Sequence, residues 1–507
     1  MDIAQQLRNI AKKTPDKSFV IFRDQPISYR ETVSRVNKLA NALKKNGVTK
    51  EHKVAIYLPN SPEYLISYLA VFSLGAAAVP MDARLTDEEV LGILNHSEAA
   101  VLVTKTLEKT PFAQIATKAP LLKKIITCYV EQADGCLSFN DIMQKEADKE
   151  LGIVPDEAKM AILYYTSGTT GKPKGVMADY RSLANATQTM RFVGLDEKTF
   201  GEVEICPLPL SHLGGFVYLQ LALEFKMTMV LEERFIPVEF LRKVEKYKVS
   251  WFHLVPPMFI AILQLKEFEK FDLTSVTGVN IFGAPSDPRL IQRFGQYCPR
   301  ARLTHGWGMS ETAAPNTITD PQHIGSIGKN PPWFEVKIFD HNDKEVAVGE
   351  IGEIVCRGWP VMMGYYKEPE MTAEIMLNGW LHTGDLGSID QEGYLYIKGR
   401  KKDMIIVGGL NVYSPEVEHI IAEHPKVKEV AVIGVADKLR GEAVKAVIVV
   451  KEGESLSEKD VKAFCREKLI HFKVPQIVEF RESLPKTASG KVQKELLKQD
   501  SLVQDNV

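Results

Sequence analysis

One segment gathers the groups that hold anions: Tyr165-Thr166-Ser167-Gly168-Thr169-Thr170-Gly171-Lys172-Pro173-Lys174-Gly175, with four Ser/Thr hydroxyls, three glycines and two lysines. Glycine tolerates positive φ and close backbone approach, so N–H groups can converge on one anion while hydroxyls and ammonium groups add donors. A polyphosphate is the natural guest. The segment is not a Walker loop, because G-x-x-x-x-G-K-[ST] occurs nowhere in the chain, and no complete G-x-G-x-x-G occurs either. Kinase-like and Rossmann readings lose support accordingly.

Further runs carry chemistry. They are Leu208-Pro209-Leu210-Ser211-His212-Leu213-Gly214-Gly215, Gly306-Trp307-Gly308-Met309-Ser310-Glu311-Thr312, Thr383-Gly384-Asp385 and Pro485-Lys486-Thr487-Ala488-Ser489-Gly490-Lys491. Taken singly they have ordinary explanations: an aromatic is usually core, Glu311 can cap a helix, Asp385 can sit in a turn, and a lysine near a terminus is usually solvated. Taken together and in this order they resemble the adenylate-forming superfamily of acyl-CoA synthetases, firefly-type luciferases and peptide-synthetase adenylation domains. The resemblance spans nearly the whole chain. The family usually has Tyr where this chain has Trp307 and Thr where it has Ser310, and both exchanges keep the aromatic face or the hydroxyl.

The resemblance implies an AMP-forming acid–CoA ligase using ATP, CoA and Mg²⁺. It implies that Thr166, Ser167, Gly168, Thr169, Thr170, Gly171, Lys172 and Lys174 hold phosphates, and that Gly283, His305, Gly306, Trp307 and Ser310 border the nucleotide, with Trp307 on adenine. Glu311 with Thr166 would hold the metal, and Asp385 would accept from both ribose hydroxyls, as an acceptor-only carboxylate can. Lys491 and Arg400 would supply positive charge where carboxylate meets the α-phosphate, the place where fixed charge lowers the barrier most. Lys402 would be the hinge of a mobile C-terminal domain, with Gly408, Gly409 and Asn411 on the face then offered to CoA.

By the same resemblance His212 gates the carboxylate pocket, with Phe216 and Gly283 beside it. From Cys206 to Leu223 the chain carries no Asp, Glu, Lys or Arg. An amino acid or a dicarboxylate would need an opposite charge there, because a buried unpaired charge is heavily penalised. An apolar acyl or aryl acid remains, and a fatty acid is the expected substrate. Phe282 stands where the family has Gly, which shortens the cavity if it points inward. Alternatives are an aryl or o-succinylbenzoate-type ligase, a carrier-protein-loading adenylation enzyme, a luciferase-like oxygenase, and a non-catalytic interaction protein on the same fold.

These residues need a large scaffold, and 507 residues supply two to four domains at about 150 residues each. Short apolar runs at 101–103, 125–128, 161–165 and 228–231 read as strands buried on both faces, so the expected body is α/β with parallel-sheet layers. After the polar run Gly399-Arg400-Lys401-Lys402-Asp403 the pattern changes to a small α+β domain. The expected division is 1–399 for the adenylation core and 400–507 for the mobile domain. A formal charge of -2 gives no broad attraction for nucleic acid. Six scattered cysteines without a C-x-x-C pair fit reduced structural thiols. The uncharged stretch 64–81 is broken by Gly75 and Pro80 and reads as buried core, not as a membrane span. The start shows no secretory signal, so the expected address is cytoplasmic. A homodimer is compatible with the sequence but not required by it.

Overall fold

The computed structural model describes residues 2–105, 107, 110–129, 135–166, 174–283, 288–319, 323, 325–437, 439–486 and 492–504. Ser28 shows how local chemistry sets the elements. It caps the helix Tyr29–Lys45 by accepting from the Glu31 N–H, while the Glu31 carboxylate returns to the Ser28 N–H. The uncharged stretch becomes a buried helix, Pro62–Phe72, and a fully buried strand, Ala77–Met81. No helix among the described residues is long and apolar enough to cross a membrane.

The chain divides into two compact units, Met1–Glu335 with Arg357–Leu381, and Val336–Cys356 with His382–Val507. The first contains two eight-stranded sheets among its described residues. One runs in the order Gly364–Tyr365, Lys174–Asp179, Met160–Thr166, Ala77–Met81, Lys53–Tyr57, Val101–Thr104, Lys124–Thr127, Leu137–Ser138. The other runs Thr317–Ile318, Arg302–Trp307, Gly278–Ile281, Trp251–Leu254, Val203–Cys206, Thr228–Leu231, Ser18–Phe22, Gln25–Ser28. The inner pairs of both are parallel and antiparallel pairs sit toward the edges. Val20 of one sheet, Ile56 of the other, and Leu69, Phe72 and Phe216 of intervening helices belong to one apolar core. The large α/β body expected from buried apolar runs is present.

In the second unit the hairpin Val427–Asp437 and Gly441–Val450 is flanked by Met404–Val407 and by the parallel strand Ile477–Phe480, with helices Ser414–Ala422, Glu458–Arg466 and Lys494–Gln504. The strands Gly352–Gly358 and Trp380–Ile389 carry the chain between units, so the packing boundary falls inside strands. The 399/400 junction lies within the second unit, at the end of the strand Leu395–Arg400. All six cysteines are free thiols.

Candidate active site

The strand Met160–Thr166 turns back as Lys174–Asp179 with Thr166 opposite Lys174. The connecting residues, including Ser167, Gly168, Thr169, Thr170, Gly171 and Lys172, lie outside the described residues. On the outer edge of the hairpin the short strand Gly364–Tyr365 sets Tyr365 beside Val176. Its ring lies 5.1 Å from Lys174 Nζ and its hydroxyl donates to Glu311 Oε1 at 3.0 Å. Burial, and then the Glu311 carboxylate, push the phenol well above its ordinary pKa, so it remains a donor.

Glu311 is buried in the 3₁₀ turn Ser310–Thr312. The Thr312 hydroxyl donates to Asn316 Oδ1 at 2.5 Å and Asn316 Nδ2 returns to the Thr312 carbonyl at 2.7 Å, which pins the turn. Gly308 allows the chain to enter it: at φ +156° a Cβ would stand 2.4 Å from Ala314 Cβ and 2.6 Å from Asn316 Oδ1. His305, Gly306 and Trp307 close the strand Arg302–Trp307, where Trp307 is buried and pairs with Thr317.

Toward the helix Leu213–Glu224, His212 occupies the N-cap position and its Nε2 lies 2.9 Å from Asp82 Oδ2. Arg84 donates to the same carboxylate through Nε at 2.8 Å and a terminal nitrogen at 2.6 Å. Burial alone would raise the Asp82 pKa, but the hydrogen bonds from Arg84 and His212 win and hold it well below the usual carboxylate range. Gly214 and Gly215 open the helix, the second because no side chain fits there and the first under a close aromatic neighbour. A Cβ at 215 would come 2.1 Å from the Pro209 carbonyl oxygen, and one at 214 would come 3.0 Å from the Phe282 ring. Phe282 therefore does point toward this helix. Gly283, with φ +89°, follows it on the exposed side. Phe216 is different: it is fully buried against Tyr68 and Phe72 in the shared core, because two residues past Gly214 the helix faces the other way.

In the second unit, adjacent antiparallel strands place Asp385 opposite Arg400, whose Nε reaches Asp385 Oδ1 at 2.9 Å. Asp385 is buried and Arg400 is half-exposed. The strand residue before Asp385 is held by Glu353, whose Oε1 accepts the Gly384 N–H at 3.0 Å and whose Oε2 meets Lys401 at 2.9 Å. Lys402 faces Glu495 at 3.8 Å and its carbonyl accepts from Lys498 at 3.1 Å. Gly408 and Gly409, both at positive φ, turn the hairpin that presents exposed Asn411. Lys491 lies outside the described residues, but its stem does not. Lys486 bridges to Val492, the Gln493 N–H donates to the Pro485 carbonyl at 2.8 Å, and Lys486 pairs with Glu429 at 2.7 Å.

The AMP-binding enzyme family profile matches residues 7–366, and that of the AMP-binding enzyme C-terminal domain matches residues 416–491. The chain belongs to the AMP-binding enzyme family. It is an adenylate-forming enzyme of the acyl-CoA synthetase type. A long-chain-fatty-acid–CoA ligase of Bacillus subtilis is 32% identical, over 96% of this chain and 92% of its own. A crotonobetaine/carnitine–CoA ligase of Escherichia coli is 33% identical over 93% of each. The crystal structure of an anthranilate CoA ligase in complex with anthranoyl-AMP superposes with a TM-score of 0.91 at 27% identity, covering 100% of this chain and 98% of that one.

Three residues that hold the motif side chains escaped sequence reasoning. Asp82 was signalled only by a carboxylate at the carboxyl end of a parallel strand, where such folds bind ligands. Tyr365 and Glu353 carried no local signal, because each reaches its partner across strand pairing. Among the described residues no group of three or more His, Cys, Asp and Glu side chains gathers as a metal cage. The donor set still fits Mg²⁺, which binds through one or two carboxylates and takes its other ligands from phosphate and water. Glu311 offers a buried carboxylate of the required hard-oxygen type, and Thr166 a hydroxyl.

Proposed function

We propose that this synthetase joins an apolar carboxylic acid, in the first reading a fatty acid, to CoA in two half-reactions. A carboxylate oxygen attacks the α-phosphorus of ATP and pyrophosphate leaves, giving the acyl-adenylate. The CoA thiolate then attacks the acyl carbon, and AMP leaves with the electrons of the broken C–O bond. Thr166, the loop through Lys172, and Lys174 hold phosphates. Trp307 carries adenine, Asp385 the ribose hydroxyls, and His212 the entrance for the acid. Lys491, with Arg400, stabilises charge building at the α-phosphate. Lys402 is the hinge, and Gly408, Gly409 and Asn411 serve CoA. Mg²⁺, when bound through Glu311 and Thr166, offsets phosphate charge.

The observation that carries the reading is the convergence of Lys174, Tyr365 and Glu311 beside the mouth of the hydroxyl-rich hairpin. The fatty-acid choice is supported by the uncharged segment 206–223 and by the name of the Bacillus subtilis relative. A second reading, an aryl acid, is favoured by the rings of Phe282, His253 and Tyr218 packed against one another at the helix. Acid-dependent ATP–pyrophosphate exchange, run with straight-chain acids of increasing length and with benzoates, tests both. Exchange with benzoates alone would remove the fatty-acid choice, and exchange with no acid would remove the ligase.

A further inference from the structure

The hairpin of Met160–Thr166 and Lys174–Asp179 has two faces, and Lys174, Tyr365 and Glu311 occupy one of them. On the other, Tyr165 stands opposite Gly175, and the Gly175 carbonyl accepts the Tyr366 N–H at 2.7 Å. Two tyrosines thus flank one buried glycine, where a Cβ would stand 3.3 Å from Tyr366 Cβ. One step farther along the hairpin Thr166 and Lys174 face each other. Glycine supplies no side chain to space its neighbours, so whatever lies across it sets their separation.

What lies across it is His96, from the last turn of the helix Asp87–Ser97. Its ring meets both tyrosines edge-on, with centroids 5.7 Å away and interplanar angles of 78° and 81°, and Nδ1 lies 2.7 Å from the Tyr165 hydroxyl. The phenol is the donor. Burial raises its pKa and keeps it protonated, whereas burial, and then the Lys367 ammonium, lower that of the imidazole and leave it a neutral acceptor. The helix end is tied to the same row: Glu98 accepts the Tyr366 hydroxyl at 2.9 Å and pairs with Lys367 at 2.9 Å, and Lys367 donates to the His96 carbonyl at 3.1 Å. Glu98 holds φ at +55°, a left-handed conformation that a glutamate keeps only where its surroundings over-determine it.

We propose that His96 is a positioning residue for ATP, a wedge that holds Tyr165 and Tyr366 across Gly175 and so fixes the spacing of Thr166 and Lys174. The inference rests on the reading that those two residues hold phosphates. Donors on two strands grip one anion only while their separation is set, and slack in the supporting groups loosens the site without removing any of its members.

The test measures ATP–pyrophosphate exchange by the full chain, with whichever straight-chain acid or benzoate gives the fastest rate, varying ATP and acid in turn. In His96→Ala, which loses wedge and bond, KM for ATP is expected to rise about tenfold while KM for the acid stays within about twofold of wild type. His96→Phe and Tyr165→Phe each keep a ring and lose the same bond, so both should raise KM for ATP about threefold. The double variant His96→Ala/Tyr165→Phe should be no worse than His96→Ala alone, because the two residues act as one unit. If His96→Ala does not fold, the two phenylalanine variants and their combination carry the same comparison. Rises in KM for ATP and acid together, a lowered Tm with KM for ATP unchanged, or additive effects in the double variant each overturn the inference and leave the ligase standing. Wild-type exchange with no acid removes the ligase reading and this inference together.

Discussion

Tyr365 donates its phenol to Glu311 Oε1 at 3.0 Å while its ring lies 5.1 Å from Lys174 Nζ, so one side chain orients the carboxylate and flanks the cation that opens the strand Lys174–Asp179. Tyr365→Phe keeps the ring and removes the donor. The expected consequence is a KM for Mg·ATP raised about five- to tenfold at limiting Mg²⁺, in line with loss of one hydrogen bond to a charged group. An unchanged KM across a Mg²⁺ titration would show that Glu311 needs no such orientation.

Asp82 holds His212 and Arg84 together, and its depressed pKa fixes the sign of its pH effect. A carboxylate whose folded pKa lies below its unfolded value, about 3.9, stabilises above that value and loses the contribution as pH falls through the folded pKa. Wild type should therefore lose stability on the acid side more steeply than Asp82→Asn in thermal melts. The variant should also show a raised KM for the acid with a smaller change in KM for ATP, because His212 loses its anchor. Parallel acid-side curves would dismiss the anchoring role.

Glu204 has the opposite sign. It is fully buried, neither carboxyl oxygen has a hydrogen-bond partner among the described residues, and burial raises its pKa well above the ordinary value. The folded state binds the proton more tightly than the unfolded one, so stability is complete below the unfolded pKa of about 4.3 and falls as pH rises toward the folded value, by about 1.4 kcal/mol per pH unit. Glu204→Gln should raise Tm at neutral pH, with the gain shrinking toward pH 4. A gain that does not depend on pH contradicts the assignment.

Lys491 is expected to act in the first half-reaction. Lys491→Ala should lose adenylation by about a hundredfold or more while consuming supplied acyl-adenylate and CoA within about threefold of wild type. Pyrophosphate exchange and thioester formation, measured separately, check this. Equal losses in both would move the residue out of the adenylation step.

The parallel α/β body was readable because strands buried on both faces leave unbroken apolar runs, as at 101–104 and 228–231. The small domain's helix at 414–422 and its long hairpin were readable from their periodicity, whereas the strand Ile477–Phe480 was not, since Glu479 and the exposed Ile477 break any simple alternation. Motif residues such as Glu311 and Asp385 stood out through their neighbours in the chain. Their partners did not: Tyr365 lies 54 residues from Glu311, and only antiparallel pairing beside the hairpin brings it there. Phe216 follows His212 closely in sequence, yet helical rotation packs it against Tyr68 in the core, a contact that its place in the motif does not announce. A linear pattern records which residues are neighbours in sequence and says little about which way a helix faces.

The glycine pair that opens the helix after His212 has a bearing on redesign. Position 215 is closed to any side chain by a backbone oxygen, which cannot step aside, whereas the obstacle at 214 is an aromatic ring that can be cut down. For the acid pocket proposed above, room for bulkier acids is to be sought by trimming residue 282, whereas side chains introduced at 215 will cost folding.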